Sequence, residues 1–271
     1  METLQELRKK GILVAAHRGT NGGNIVQNTT LAYLNALRHG ADMIEVDVIR
    51  STDGDFFAFH NGQEDIVFGD KSDILQMSTQ EILTKPVRNT SGEYISQRIE
   101  KLDYIFGKLK DKCWINIDRS WFYWDTFLDY LSNVKIKNQF LLKSPAEKVY
   151  LDQLSQSKVD IKYMPIVKNL EELALVMQYD VLDIAAVELI IESLDSDLLS
   201  TGVFSMLKEK GVLLWINALT LNDEIILSAG YDDNKSIIKG PEYGWGKLVD
   251  LGFDIIQTDW PLLLKEFLKN K

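Results

Sequence analysis

Apolar positions along this 271-residue chain recur with two different spacings. Eight short runs of aliphatic and β-branched residues, at 12–16, 43–49, 114–117, 139–142, 163–167, 187–191, 212–216 and 254–257, have the length and composition of buried strands. Between them, segments 30–39, 124–131, 146–154, 170–177, 198–208 and 262–268 place apolar residues at helical spacing. Continuous apolar strands alternating with amphipathic helices are the pattern of parallel βαβ units. Eight such strands predict an α/β fold, the closed (β/α)8 TIM barrel, which typically occupies about 250 residues. Residues 1–271 therefore read as one barrel domain. The competing architecture, a doubly wound open sheet, needs a Gly-rich turn after the first strand, and no GxGxxG opens the first helix.

Two stretches break the rhythm. After Asp47 a turn at Asp53-Gly54 leads into a second short strand ending at His60, and a polar stretch, 62–94, follows. This predicts a small insertion after the second barrel strand, at roughly residues 50–110. Residues 228–245 carry Gly, Asp and Pro and read as a long loop, a lid or a rim. The first ten residues read as a short amphipathic helix.

Composition narrows the function classes. With 45% hydrophobic residues the chain can bury a large core. Its net charge of -10 disfavours nucleic acid as a partner, and an anionic ligand must be drawn in by local positive charge or by a metal. The single cysteine, Cys113, excludes an intramolecular disulfide and a cysteine metal cluster, and reads as a buried, inert thiol. No run reaches the roughly 18 to 20 apolar residues needed to cross a bilayer, and the N-terminus lacks the pattern of a signal peptide. The expectation is a cytoplasmic protein without stable membrane insertion; oligomeric state is left open.

The chemistry lies at strand ends. Glu45 and Asp47 occupy alternate positions of one strand and so point to one face. His17 and Asp118 end the first and third strands, and His60 ends the short strand after the second. In a barrel the carboxyl ends of the strands form the catalytic face. Three carboxylates at one rim are costly without a cation, and oxygen ligands suit Mg²⁺ or Ca²⁺ better than zinc. Each residue alone has a structural reading, as a salt-bridge partner or a packed histidine; their joint placement favours a metal-assisted site. His39, before Gly40, reads as structural or solvated.

These residues carry a family resemblance. His17-Arg18-Gly19, Gln27-Asn28-Thr29, Gly40-Ala41-Asp42 leading into Glu45-Val46-Asp47-Val48, Thr52-Asp53-Gly54 and His60 resemble the HRG, PENT, ExDV, TxDG and HD motifs of glycerophosphodiester phosphodiesterases. Residues 252–261, with Thr258-Asp259 and Pro261, are similar to that family's last strand, and Trp215-Ile216-Asn217 to its seventh. The resemblance implies a phosphoric diester hydrolase that converts a small-molecule glycerophosphodiester to glycerol 3-phosphate and an alcohol. It implies His17 and His60 as the acid/base pair, Arg18 on a phosphate oxygen, and Glu45, Asp47 and Asp118 around a divalent metal. In the family's usual scheme the adjacent glycerol hydroxyl attacks, and water opens the cyclic phosphate.

The chain departs from the pattern at several positions. Val26-Gln27 stand for Pro-Glu, Asn61 for Asp, and Asp118-Arg119-Ser120 for E-x-K, so the family's lysine is missing and Arg119 is expected to point away along the strand. Lys143, ending the fourth strand, is the expected substitute cation at the substrate, with a surface lysine as its structural alternative. Glu188 and Asn217 are further candidate pocket residues, and Trp215 joins Trp121 and Tyr123 as a candidate apolar wall. The departures keep two other readings open, a lysophospholipase D-like phosphodiesterase and a catalytically silent barrel that binds a phosphodiester.

Overall fold

The computed structural model describes the backbone of residues 1–271 and every side chain except that of Lys137. Eight parallel strands close into a barrel: β1 Leu13–Ala16, β2 Met43–Arg50, β3 Trp114–Asp118, β4 Phe140–Pro145, β5 Lys162–Val167, β6 Ala186–Leu189, β7 Leu213–Asn217 and β8 Ile255–Thr258. Closure runs through β1, which pairs with β8 (Ala16 opposite Thr258) and with β2 (Ala16 opposite Ile44). The outer helices are α1 Thr30–Arg38, α2 Leu102–Leu109, α3 Trp124–Asn133, α4 Lys148–Gln156, α5 Leu170–Val176, α6 Thr201–Glu209, α7 Trp245–Leu251 and α8 Pro261–Asn270. This is the (β/α)8 TIM barrel.

Alternation along the strands sorts the interior into two layers. At the amino-terminal end, Leu13, Ala15, Met43, Trp114, Leu141, Met164, Ala186, Leu213, Trp215 and Ile255 form one apolar cluster. Two residues further along the same strands stand Glu45, Asn116, Lys143, Glu188, Asn217 and Gln257, all buried and polar. Strand geometry carries each pair of residues about 6.6 Å along the axis, so one i, i+2 step separates plug from polar crown. The outward positions, among them Val14, Ile44, Val46, Ile115, Leu142 and Ile256, pack against the helices.

The helix Leu4–Arg8 closes the bottom. A Thr3–Glu6 capping box starts it, Leu4 enters the apolar plug, and Arg8 pairs with Asp254 at 2.7 Å. No helix among the described residues is long and apolar enough to cross a membrane.

The insertion begins as expected. Gly54, with φ 95°, completes the turn, and Phe56–Ala58 returns antiparallel to β2 with Ala58 opposite Val48. Phe59 N–H then donates to Asp47 O at 3.1 Å, which delivers His60 to the barrel mouth beside Asp47. The rest forms a satellite core around Ile49, Phe57, Phe59, Phe68, Ile74 and Ile82. Its carboxyl boundary is earlier than the sequence suggests: Leu102–Leu109 is the barrel's own second helix, with Leu102, Ile105, Phe106 and Leu109 buried in the main core. Residues 228–245 are likewise no simple loop. They contain the helix Asp233–Lys239, capped by Asp232, with Asp233 and Ser236 buried.

Candidate active site

The mouth of the barrel opens into a cavity of about 560 Å³. His17, Arg18, Asp47, His60, Asp118, Lys143, Glu188 and Asn217 line it, together with an apolar side that includes Trp121, Ile166, Leu219 and Leu227.

The loop after β1 makes a sharp turn. Arg18 (φ 53°) and Gly19 (φ 75°) are both left-handed, and a Cβ on Gly19 would stand 2.6 Å from the Ala32 backbone of α1. The turn points Arg18 N–H at Glu45 Oε2 (2.9 Å) and brings its guanidinium to Asp47 Oδ2 (2.9 Å) and Gln27 Oε1 (3.1 Å). Asn28, also left-handed, is fully enclosed. Its amide donates to Asp47 Oδ2 (2.9 Å), and its oxygen accepts from Asp47 N–H (3.2 Å) and from the Tyr33 hydroxyl (2.8 Å). Left-handed non-glycine residues cost about 1–2 kcal/mol each, and three of this chain's five (Arg18, Asn28 and Arg119) lie at this site.

Glu45, Asp47 and Asp118 each offer an oxygen within 4.8 Å of the others. The register explains it, since Asp47 and Asp118 stand opposite each other on neighbouring strands. Burial, with Asp47 and Asp118 close by, holds the Glu45 carboxyl well above the usual carboxylate range, and its Oε1 has no hydrogen-bond partner. Burial also acts on Asp47, but Arg18, His60, His17 and Asn28 outweigh it and keep that carboxyl low.

On the opposite wall Lys143 Nζ sits between Asp118 Oδ2 (2.5 Å) and Glu188 Oε2 (3.1 Å). Burial pulls the Lys143 ammonium down, but Asp118, Glu188 and Glu45 more than reverse this and keep it charged. Glu188 Oε1 accepts from Asn217 Nδ2 (2.8 Å), which meets the need of a carboxylate in an apolar strand for a partner. Lys143 is thus buried on the cavity wall, not a surface lysine, and it is held by two carboxylates.

The two imidazoles differ. His17 Nδ1 lies 2.8 Å from Asp259 Oδ1, which fixes the ring and leaves Nε2 for the cavity. His60 Nδ1 is buried without a partner, and burial lowers its basicity despite Asp47 nearby.

Three expectations fail. Tyr123 lines a separate surface pocket beside Arg50 and Thr52 and not this cavity. Trp215 does not reach the cavity: it is fully buried one layer down, in the apolar plug, and its Nε1 donates to Asn217 Oδ1 at 2.8 Å. Arg119 does not point away. Strand β3 ends at Asp118, and the left-handed conformation of Arg119 (φ 58°) swings its side chain onto the cavity wall, where Nη2 donates to Asn61 Oδ1 at 2.6 Å. Sequence reasoning also assigned no role to Asn28 or Asp259. Both stand inside quoted motifs, and Asp259 continues the inward series Ile255, Gln257 by one more alternate step.

A closed (β/α)8 barrel with acids and two imidazoles at its carboxyl end defines the class: a TIM barrel whose mouth carries an acidic triad that could hold a metal ion. Comparison with known proteins narrows it. The profile of a domain family of unknown function, DUF4996, matches residues 163–268. A curated glycerophosphodiester phosphodiesterase from Caldanaerobacter subterraneus subsp. tengcongensis is 29% identical over 131 residues, 48% of this chain and 47% of that relative. The match thus spans about half the length of the relative. Among solved structures, a glycerophosphoryl diester phosphodiesterase from Parabacteroides distasonis superposes with a TM-score of 0.78 at 15% identity, over 100% of this chain and 93% of its own. An Oleispira antarctica phosphodiesterase in complex with its product sn-glycerol-3-phosphate gives 0.66 at 16% identity, over 97% and 99%. These structures share the barrel fold; the curated relative and the Parabacteroides distasonis protein carry the name of the family whose motifs this chain resembles, and the Oleispira antarctica protein is named a phosphodiesterase.

Proposed function

We propose that the chain is a divalent-cation-dependent hydrolase of glycerophosphodiesters, releasing glycerol 3-phosphate and an alcohol. One observation carries the reading: Glu45 Oε1 is fully buried, has no partner, and faces two more carboxylates in a cavity that also holds two imidazoles. The residues fit a cation. Glu45, Asp47, Asp118 and Glu188 face Arg18 and Lys143, an excess of two negative charges, which is what one divalent ion neutralises. Glu45, Asp47 and Asp118 would hold it, and their hard oxygens suit Mg²⁺ or Ca²⁺. Such an ion, when bound, supplies Lewis-acid stabilisation of phosphoryl charge.

The protein's own groups do the rest. Arg18 presents the free side of its guanidinium to a phosphate oxygen. One of His17 and His60 takes the proton of the attacking hydroxyl, and the other gives a proton to the departing alkoxide. Lys143, Glu188 and Asn217 form a hydrogen-bonded wall against the substrate. The likeness to the Oleispira antarctica enzyme, which holds sn-glycerol-3-phosphate, supports the same product here. A cytoplasmic location and a small water-soluble substrate belong to the proposal.

A second reading has its own observation. Trp121, Ile166, Leu219 and Leu227, with the half-exposed Leu221 and the exposed Ile66, give the cavity an apolar side that suits the acyl chain of a lysophospholipid. Hydrolysis of glycerophosphocholine and of lysophosphatidylcholine, each with and without chelator, separates the two. The expected result is chelator-sensitive turnover of the water-soluble diester, falling by about 10²-fold or more in His17→Ala and in His60→Ala. Full activity in both variants, or indifference to chelator, would remove this mechanism.

A further inference from the structure

Asp233 is a buried carboxylate that the proposed reaction does not use. It opens the helix Asp233–Lys239 in the excursion between β7 and α7, with 1% of its surface exposed. Burial pushes its carboxyl up to about 7, against the pull of its hydrogen-bond donors. A charge kept there disfavours folding at neutral pH, so its retention calls for another account.

Its contacts supply one. Oδ1 accepts from Trp245 Nε1 and from Thr258 Oγ1, both at 2.7 Å. Oδ2 accepts the backbone N–H of Asp259 at 2.9 Å. Asp259 in turn places Oδ1 2.8 Å from His17 Nδ1. Asp259 is a half-exposed residue at the end of β8, and among the described residues its side chain bonds only to His17. Its backbone anchor therefore sets where the carboxylate stands. The helix is itself tied to the barrel, because Asp233 N–H donates to Ala218 O at the end of β7.

We propose that Asp233 is a positioning residue: by gripping the Asp259 backbone it fixes the carboxylate that orients His17, so the excursion helix helps to build the acid/base site. The proposal rests on the reading of His17 as an acid/base group. The charged and titratable groups that share the cavity with His17 are Arg18, Asp47, His60, Asp118, Arg119, Lys143 and Glu188, and Asp259 bonds its Nδ1. Asp259 is the one of these that Asp233 touches.

Asp233→Asn isolates the link. An asparagine that keeps Trp245 and Thr258 as donors to its oxygen must turn its NH₂ toward the Asp259 N–H, so that one contact is lost. Trp245→Phe is the control, since it removes a bond to Asp233 and leaves the Asp259 contact. Two readouts apply: steady-state kinetics, and NMR of the His17 imidazole ring at one fixed pH in the substrate-free full chain, where only three histidines need assignment. Asp233→Asn is expected to lower kcat about tenfold with KM within about twofold. It should also shift the His17 ring resonances and weaken the hydrogen-bonded Nδ1–H signal, because a displaced carboxylate no longer holds Nδ1 in place. Asp259→Asn should do the same more strongly, and Trp245→Phe should lower Tm while leaving both readouts near wild type. His17 ring resonances unchanged in Asp233→Asn, or moved equally by Trp245→Phe, overturn the proposal. If the wild-type chain turns over no glycerophosphodiester, the functional reading fails, and the His17 NMR readout still decides the positioning role.

Discussion

Replacing Glu45 by Gln should make the metal-free protein more stable while abolishing its response to divalent cations. The three acid oxygens lie within 4.8 Å of one another. At an effective dielectric constant of about 20, two unit charges at that distance repel by about 3 kcal/mol. Glu45 meets two such neighbours and is offset by Arg18 and Lys143, the same opposing influences that act on its carboxyl. A glutamine keeps an oxygen for Arg18 N–H and removes both repulsions. A net gain of about 1–2 kcal/mol is expected, the usual size of a stabilising change at a functional site.

Urea unfolding with chelator, and again with Mg²⁺ or Ca²⁺ in excess, measures both halves. With chelator the variant should show the higher midpoint at unchanged slope. With cation at about 100-fold over its Kd the wild type should gain about 2.7 kcal/mol and the variant little, which reverses the order. The pH dependence has a definite sign. Glu45 has a raised carboxyl in the folded chain, so the native state binds the proton more tightly, and wild-type stability falls as pH rises above the ordinary glutamate range. The advantage of the variant should therefore open with rising pH and close under acid. A variant less stable than wild type in chelator, or one that gains as much as wild type from cation, would refute the reasoning.

Lys143→Met leaves Asp118 and Glu188 facing each other without their shared ammonium, and should cost about 3–5 kcal/mol in chemical denaturation; a loss under 1 kcal/mol would mean the two acids are not held as drawn. Cys113 is almost fully buried, and burial pushes its thiol up to about 12, so alkylation at pH 8 should proceed only through unfolding and track the denaturant dependence of the global transition. Fast labelling of the native protein would contradict that burial. Gly19→Ala should disrupt the turn that aims Arg18, because its Cβ meets the Ala32 backbone and φ is 75°. A destabilisation of at least about 2 kcal/mol, read as a lowered Tm, is expected.

What the chain makes legible is whatever repeats. The eight strands are readable because each is a short apolar run, in most of them followed by a polar residue at the next inward position, as in Met43, Glu45, Asp47; β5, with Met164 and Ile166, stays apolar. Trp215 was misplaced because alternation gives the face and not the depth: it points inward like Asn217 but lies one step below the crown. The helix Asp233–Lys239 is hidden in the sequence because Gly, Asp and Pro flank a short apolar pair, and the burial of Asp233 depends on Trp245 and Thr258, which sequence distance does not link. Arg119 was misdirected because strand alternation was carried one residue beyond the end of β3, where the backbone turns left-handed.

That last point connects three departures from the family's motifs. Ser120, where the E-x-K pattern would put its lysine, is fully buried and accepts from Trp124 Nε1 at 3.1 Å, so position 120 faces packing and has no room for an ammonium. The left-handed residue before it redirects the chain, and the cation that this turn brings to the cavity wall, beside Arg18 and Lys143, is Arg119. Its partner is Asn61, a neutral amide where the family's HD motif has an acid. An aspartate there would pair with the guanidinium and consume its charge; the amide holds the side chain in place and leaves that charge to the cavity. On the proposed reading, four acids, Arg18, Lys143 and a bound divalent ion would sum to neutrality, and Arg119 would supply the positive charge that a phosphodiester requires. Asn61→Asp should accordingly raise KM for a glycerophosphodiester by about tenfold or more, while Arg119→Lys should retain much of the wild-type affinity. An Asn61→Asp variant with unaltered KM would show that the guanidinium takes no part in binding the substrate's charge.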